Sequence, residues 1–337
     1  VTVGYVGSRS IHLPDLLDDI NFTLPTLTSA GYMWPTTGGG KLNPNFGGIR
    51  AQLWNNDAWY NALQAGVTKK MGHGLQLQGS YTYSKCLDTG SNLSFNDPYQ
   101  NSLPDYMYFD HSLTKGACDF NITQSGVVSF IYSIPGPAHM KGFTEKALSG
   151  WQVGGIVTAQ TGSPFTPLVG GDPLGRNAGD TGVDYVNLLS GCNPINGSVN
   201  SYLNLSCFTV PTAPVSMQSQ CNTFPNAPAA PAGQVTCANL LGSLGRNQIT
   251  GPGFVDVDFS VFKNIRLSER FTSQFRVEVF NILNHPNFLA PVDNEVLFNG
   301  GSPSNGLDAS SAGLSPGKID STSGDSREIQ FGFKLNF

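Results

Sequence analysis

Two aspartates lie two residues apart in a stretch where polar and apolar side chains alternate. Asp256 and Asp258 would face the same side of an extended strand, and paired carboxylates can exchange protons or bind a metal ion. The basic residues Arg276 and Lys334 occur in two later alternating stretches. We interpret the two aspartates as polar residues of a strand face near those cations, rather than as a catalytic or metal site.

Other residue types that carry chemistry do not form a recognisable set. The five histidines are far apart, and no two have the spacing of metal ligands. The acidic loop that contains Asp172, Asp180 and Asp184 does not have the spacing of an EF-hand. We therefore expect no enzymatic activity, no cofactor and no metal ion.

The composition excludes several classes of protein. Charged residues make up 12%, about half of the usual ~25%, and the 40 glycines and 22 prolines exceed average usage. The net charge of −5 provides no basic excess for binding nucleic acid. No apolar run approaches the ~18 residues of a membrane helix, and 39% hydrophobic residues argue against disorder. Few charges with many glycines and aromatic residues are typical of transmembrane β-barrels.

Eight segments alternate between polar and apolar residues, as half-buried β-strands do. Most are 10–13 residues long, whereas strands of soluble sheets average ~5–6 and a tilted membrane strand needs ~9–11. The connections run long, short, long, medium, long, short, long, which is the rhythm of outer-membrane barrels with long outer loops and short periplasmic turns. The predicted strands are residues 1–7, 59–70, 75–84, 122–134, 151–161, 254–265, 271–282 and 326–337.

The alternation gives each predicted strand one apolar and one polar face. We expect the apolar face to contact lipid and the polar face to line a lumen, because a lumen accepts charged side chains that lipid does not. Aromatic residues near the strand ends would form girdles at the membrane interfaces. The lipid-facing set includes Leu77, Tyr81, Phe259, Val277 and Phe331. The lumen-facing set includes Gln76, Asp258, Arg276 and Lys334. The girdles include Tyr81, Tyr83, Tyr132, Trp151 and Phe271.

Six cysteines fall in the long connections, and an even count on one side of a membrane fits disulfides in an oxidising compartment. Cys86 and Cys118 lie at the two ends of one long connection, where antiparallel strands bring the chain together, so we predict that they pair. The proline-rich connection 162–253 would lie outside the sheet, where it would be stapled, packed on its neighbours or mobile. Its four cysteines allow three pairings, of which we favour Cys192 with Cys207 and Cys221 with Cys237.

Several longer motifs follow one another along the chain. They include Gly-Arg-Asn at 245–247, Gly-Pro-Gly-Phe at 251–254, Phe-Asn-Ile-Leu-Asn-His-Pro-Asn-Phe at 280–288 and Arg-Glu-Ile-Gln-Phe-Gly-Phe-Lys-Leu-Asn-Phe at 327–337. In these motifs the chain resembles the C-terminal barrel of Oar-like TonB-dependent receptors. The resemblance implies a 22-stranded outer-membrane barrel with an N-terminal plug, often preceded by a carboxypeptidase-regulatory-like domain, and energised uptake of a large substrate through TonB.

We recognise no plug, no TonB box and no regulatory domain in this sequence, which begins Val-Thr-Val-Gly-Tyr-Val. We therefore interpret residues 1–337 as a single β-barrel segment, the C-terminal third of a receptor. TonB would act on it only through a plug that this chain lacks. Its other partners would be outer-membrane lipid and the barrel-assembly machinery.

The last predicted strand ends on an aromatic residue. Outer-membrane barrels resemble one another in such a strand, which the barrel-assembly machinery recognises by β-pairing with its free edge. The alternating apolar residues would present a stripe toward lipid during insertion. The predicted assembly signal consists of Phe331, Phe333, Leu335 and Phe337.

The sequence as a whole predicts an all-β protein, an antiparallel up-and-down transmembrane β-barrel. It would be partial, about eight strands of a larger barrel, with long extracellular loops. The expected function is that of an outer-membrane receptor or transporter segment without catalysis. The alternative is a secreted, disulfide-stapled β-sandwich that binds carbohydrate or mediates adhesion.

Overall fold

Eight long strands dominate the protein, and each lies at one of the segments predicted from the alternation. The computed structural model describes residues 1–17, 19–91, 107–137, 142–176, 183–268, 270–292, 295–303, 305–310 and 315–337. The strands are β1 (Thr2–Leu17), β2 (Ala51–Gly72), β3 (Leu75–Asp88), β4 (Gln124–Ser133), β5 (Trp151–Gln160), β6 (Phe254–Arg266), β7 (Thr272–Phe280) and β8 (Glu328–Asn336).

These strands form one antiparallel sheet in which each strand pairs with its neighbours in the sequence. The order from β1 to β8 is that of an up-and-down meander, and the two-residue strand Gly116–Ala117 pairs additionally with β3. Among the described residues, β1 and β8 do not pair with each other, so the sheet is open. The architecture is therefore an antiparallel wall rather than a closed eight-stranded barrel.

The first two strands are longer than predicted. Residues 8–17 and 51–58, which we expected in a connection, continue the pairing of β1 with β2 as far as Leu17 opposite Ala51. The register shifts between Ser10 and Leu13 and again between Leu13 and Asp15. These irregularities break the alternation, which explains why the strand extension has no clear signal in the sequence.

The register gives the sheet two chemically distinct faces. Residues that pair directly lie on the same face, so Leu77, Phe130 and Phe259 share one face with Val279. We call this side the apolar face and its reverse the polar face. The predicted lipid-facing residues all lie on the apolar face, and the predicted lumen-facing residues all lie on the polar face.

The strands are staggered along the sheet. One row of paired residues runs from Leu75, the first residue of β3, to Val277 of β7 and Phe331 of β8. From this row β7 and β8 continue five residues further to Thr272 and Asn336. The ends joined by short turns therefore form a slanted edge, as tilted strands of a barrel wall require.

The long connections fold together at the other end of the strands. We call their described residues within 19–50, 89–123, 162–253 and 281–327 the loop body. It contains 3-10 helices at Leu205–Cys207 and Val215–Gln220. A short α-helix, α1 (Phe143–Leu148), lies outside the loop body, in the connection between β4 and β5 at the turn end of the sheet. The short strands of the loop body outside the main sheet are Thr26–Thr28, Gly31–Met33, Pro164–Phe165, Leu168–Gly170, Val183–Tyr185, Asn187–Leu188, Ile195–Ser198, Ser201–Leu203, Phe208–Thr209, Thr212–Pro214, Gln234–Thr236, Ile249–Thr250, Val296–Phe298, Gly301–Ser302 and Gly306–Leu307.

The hydrophobic core of the protein lies in the loop body. The sheet has exposed apolar side chains such as Phe331 and Phe333, whereas the connections bury theirs against one another. The largest buried cluster includes Phe165, Val169, Val186, Leu203, Phe208 and Val210.

In the described part of the chain, no helix is long and apolar enough to span a membrane.

Candidate functional site

Three disulfides staple the loop body, and they join the pairs favoured from the sequence. Cys86 at the end of β3 bonds Cys118 in the following connection. The other two close segments of 15 and 16 residues within the connection 162–253. They are Cys192–Cys207 and Cys221–Cys237.

Aromatic contacts hold two different connections together within the loop body. The ring of Phe22 lies edge-on to Tyr108 at 5.8 Å, and Tyr32 lies edge-on to Phe109 at 5.4 Å. Trp34, at 1% exposure, belongs to the same buried cluster. The connections after β1 and β3 therefore share one core and act as one surface rather than as separate loops.

Arg246 is the principal polar anchor between the loop body and the sheet. Its guanidinium pairs with Asp88 at the end of β3 and with Asp119 at 3.0 Å, and all three side chains are buried. Its Nε also donates to the carbonyl oxygen of Thr114 at 2.8 Å. Two carboxylates and several hydrogen bonds satisfy the buried cation, as a buried charge requires.

The neighbouring residue extends this network. Asn247 has a positive φ of 57° and donates through its side-chain amide to the carbonyl of Ala117 at 2.7 Å and to Asp119 at 2.6 Å. In the sequence, Gly-Arg-Asn at 245–247 is recognisable only through the family resemblance, because its partners lie more than 120 residues away. The signal for this anchor that the sequence contains is an arginine between a glycine and an asparagine in a long connection.

The connection after β1 is ordered around two buried polar residues. Asp19 pairs with Lys41 and accepts from the backbone N–H of Ile49 at 3.0 Å, while Asn21 donates to three backbone carbonyls. Burial opposes ionisation of Asp19, but the Lys41 ammonium and the backbone N–H groups of Ile49 and Asn21 hold its pKa below the usual value. The segment is therefore fixed by charge as well as by packing.

Asp184 is a buried carboxylate in the loop body. It accepts from the backbone N–H of Tyr185 at 2.7 Å, and burial raises its pKa to about 7 although the charge of Arg176 acts in the opposite direction. Asp172 lies 3.8 Å from the Arg176 guanidinium, whereas Asp180 lies outside the described residues. In the described ranges, no group of histidine, cysteine, aspartate or glutamate side chains is arranged to hold a metal ion.

An acidic cavity of about 320 Å³ opens on the polar face near the loop end of β6 and β8. Asp256 and Asp258 line it together with Asp325 and Glu328. Asp258 accepts from the backbone N–H of Asn281 at 3.0 Å. Arg276, one of the two cations that we expected near the aspartates, pairs instead with Glu278 on its own strand at 3.3 Å.

A second cavity of about 250 Å³ lies on the polar face between β3 and β7. Its lining includes Gln78 and Glu278 but also Ile131, Ile156 and Phe262. The polar face therefore contains an apolar strip, which the strict alternation did not predict.

At the turn end, Lys263 on the apolar face donates to the carbonyls of Lys146 and Ala147 at 2.7 and 2.9 Å, at the C-terminal end of α1. Its ammonium also lies 4.9 Å from the centre of the Trp151 ring.

Phe337 follows β8 and is 95% exposed, and Phe331, Phe333 and Leu335 lie on the apolar face next to it.

An antiparallel meander with one apolar and one polar face, and with stapled connections at one end, is typical of the wall of an outer-membrane barrel. The family described as the outer membrane beta barrel domain matches residues 1–330. The chain therefore belongs to this family, and the protein is located in the outer membrane. Comparisons with curated proteins and with solved structures found no match.

This location contradicts the alternative of a secreted β-sandwich. The described residues also contain no second sheet of comparable size to pack against the long strands, which a sandwich requires. The alternation of polar and apolar residues is compatible with both architectures, whereas the strand lengths and the rhythm of the connections favoured the barrel.

Proposed function

We propose that this chain forms part of the barrel wall and the substrate-binding extracellular loops of a TonB-dependent receptor of the Oar-like type. The apolar face would contact lipid and the polar face would line the lumen. The loop body would bind a large substrate outside the cell, and uptake would depend on TonB through a plug that these residues do not supply. Catalysis and nucleic-acid binding have no part in this function.

The observation that carries the proposal is the open sheet. Eight strands can close into a small barrel, but β1 and β8 do not pair with each other in the described structure. Unpaired backbone groups within a membrane are costly, so both edges need further strands. A larger barrel of the receptor type satisfies them, and the residues 1–337 would then be one segment of its wall.

Binding to TonB tests this assignment. The full-length receptor, purified from outer membranes in detergent, should retain the C-terminal domain of TonB on an affinity column. The segment 1–337 alone should not retain it, because the contact would be made by the plug. Failure of the full-length protein to bind, or equal binding by the segment, would contradict the proposal.

A further inference from the structure

A basic and aromatic patch lies on the apolar face at the loop end of the first three strands. Trp59 of β2 pairs with Arg9 of β1 on one side and with Leu87 of β3 on the other. The Arg9 guanidinium carbon lies 5.6 Å from the Trp59 ring centre, and the Lys115 ammonium lies 4.6 Å from it. Both distances are within the ~6 Å range of cation–π contacts.

A third cation lies one row closer to the turn end. Lys85 pairs with Asn61 on the same face, diagonal to Trp59. Lys85 and Lys115 are exposed, and the Arg9 side chain is 61% exposed. In the described ranges, the ion pair at this patch joins Arg9 with Asp57 at 3.1 Å. Three cations with one carboxylate make the patch positive on a chain whose net charge is −5.

The patch lies at the level of the membrane surface on the loop side of the strands. A tilted strand crosses a bilayer in ~9–11 residues, and counting from Leu75 at the turn end of β3 places the boundary close to Lys85. Below that point the apolar face carries Tyr83 beside Leu63, and then Tyr81 beside Ala65. The order from apolar residues through tyrosines to cations matches the order from acyl chains to head groups.

We propose that Arg9, Lys85 and Lys115, arranged around Trp59, bind the phosphate of an anionic glycolipid in the outer leaflet. A guanidinium and two ammonium groups supply charge-assisted donors for phosphate oxygens. The Trp59 ring holds two of the cations in place and contacts the apolar part of the lipid. The exposed Arg9–Asp57 pair is weak enough to open for a phosphate. This inference depends on the outer-membrane location and not on the TonB assignment.

Lipid binding by the full-length receptor in detergent tests the proposal. The probe is bisphosphorylated lipid A in mixed micelles, compared with its dephosphorylated form and with inorganic phosphate. Each basic residue near an anionic lipid surface contributes about fivefold in affinity, so K85Q/K115Q should bind lipid A about 25-fold more weakly. Lys334→Gln, a change on the polar face, is the matched control and should bind normally.

The dephosphorylated lipid should bind at least about tenfold more weakly than lipid A to the unmodified protein, and inorganic phosphate should not displace lipid A. Heat-dependent electrophoretic mobility verifies that each variant is folded. Equal lipid A binding by K85Q/K115Q and the unmodified protein would overturn the proposal. Equal binding of the two lipids would do the same, because the patch would then be an interface girdle without phosphate recognition.

Discussion

The guanidinium of Arg246 lies 3.0 Å from the carboxylate of Asp119, and both side chains are buried although they are 127 positions apart in the sequence. The same guanidinium pairs with Asp88 at the end of β3. One cation therefore joins the connection after β5, the connection after β3 and the wall itself. This relationship explains how long, glycine-rich and proline-rich connections form one ordered surface.

Replacing Arg246 by alanine should release the loop body from the wall. The change leaves two buried carboxylates without their cation, and breaking a buried pair in this way costs about 3–5 kcal/mol. We expect proteases added to intact cells to cleave the loop body of Arg246→Ala rapidly while the heat-dependent mobility of the barrel is retained.

Arg276→Ala is the matched control, because it removes a partly exposed pair with Glu278 that contributes about 0–1 kcal/mol. Protease resistance of this variant should equal that of the unmodified protein. If Arg246→Ala were as resistant as Arg276→Ala, the anchoring role of Arg246 would be wrong.

The disulfides should also stabilise the loop body. On the chain-entropy model, closing the segment between Cys86 and Cys118 stabilises the folded state by roughly 3–4 kcal/mol. We expect the double variant C86A/C118A to unfold at a lower temperature than the unmodified protein.

Peptide mapping without reductant should recover the three linked pairs, and recovery of six free thiols would refute the pairing.

The loop body should lose stability as the pH rises through neutrality. The pKa of Asp184 is about 7 in the folded protein because of burial, compared with 3.8 for an ordinary aspartate. The folded state therefore favours the protonated carboxyl group of Asp184. The resulting stabilisation of the folded state is fully present below about pH 4 and is lost as the pH rises through 7.

Thermal unfolding between pH 5 and pH 8 checks this sign. The midpoint of the unmodified protein should fall over this interval, and Asp184→Asn should show a much smaller change because it carries no charge at either pH. An equal pH dependence in the two proteins would contradict the assignment to Asp184.

The wall and the disulfides could be predicted because their signals are local. Alternation over ten residues specifies a strand and its faces, and a short turn such as that between Gly72 and Leu75 specifies the partner strand. Cys192 and Cys207 are close in sequence, so their pairing follows from proximity. The family then confirmed the membrane location.

The remaining features depend on contacts between distant residues. The extensions of β1 and β2 pair with each other across register shifts, and Asn55, Asn56 and Asp57 resemble a turn in sequence although they are strand residues. The contact of Arg246 with Asp88 spans 158 residues. No sequence period marks either of these features, because each depends on contacts between residues that are distant in the sequence.

Deletion of Phe337 should impair assembly more than stability. The residue is exposed after β8, so its loss removes few contacts from the folded protein. We expect the full-length protein without Phe337 to reach the outer membrane at a clearly lower level, because the apolar stripe of β8 would serve the assembly machinery. Once folded, this variant should melt at the same temperature as the unmodified protein. Unchanged surface levels would count against the assembly role.

We expect the apolar face of the sheet to contact lipid and the polar face to line a lumen. A small fluorophore on a cysteine substituted at Val277 or at Glu278 tests it, because these residues of β7 lie on opposite faces and the natural cysteines are disulfide-bonded. In bilayers of brominated lipid, we predict that the label at Val277 is quenched by the acyl chains and protected from aqueous iodide, with the reverse at Glu278. Equal quenching at the two positions, or quenching in the opposite order, would contradict the account.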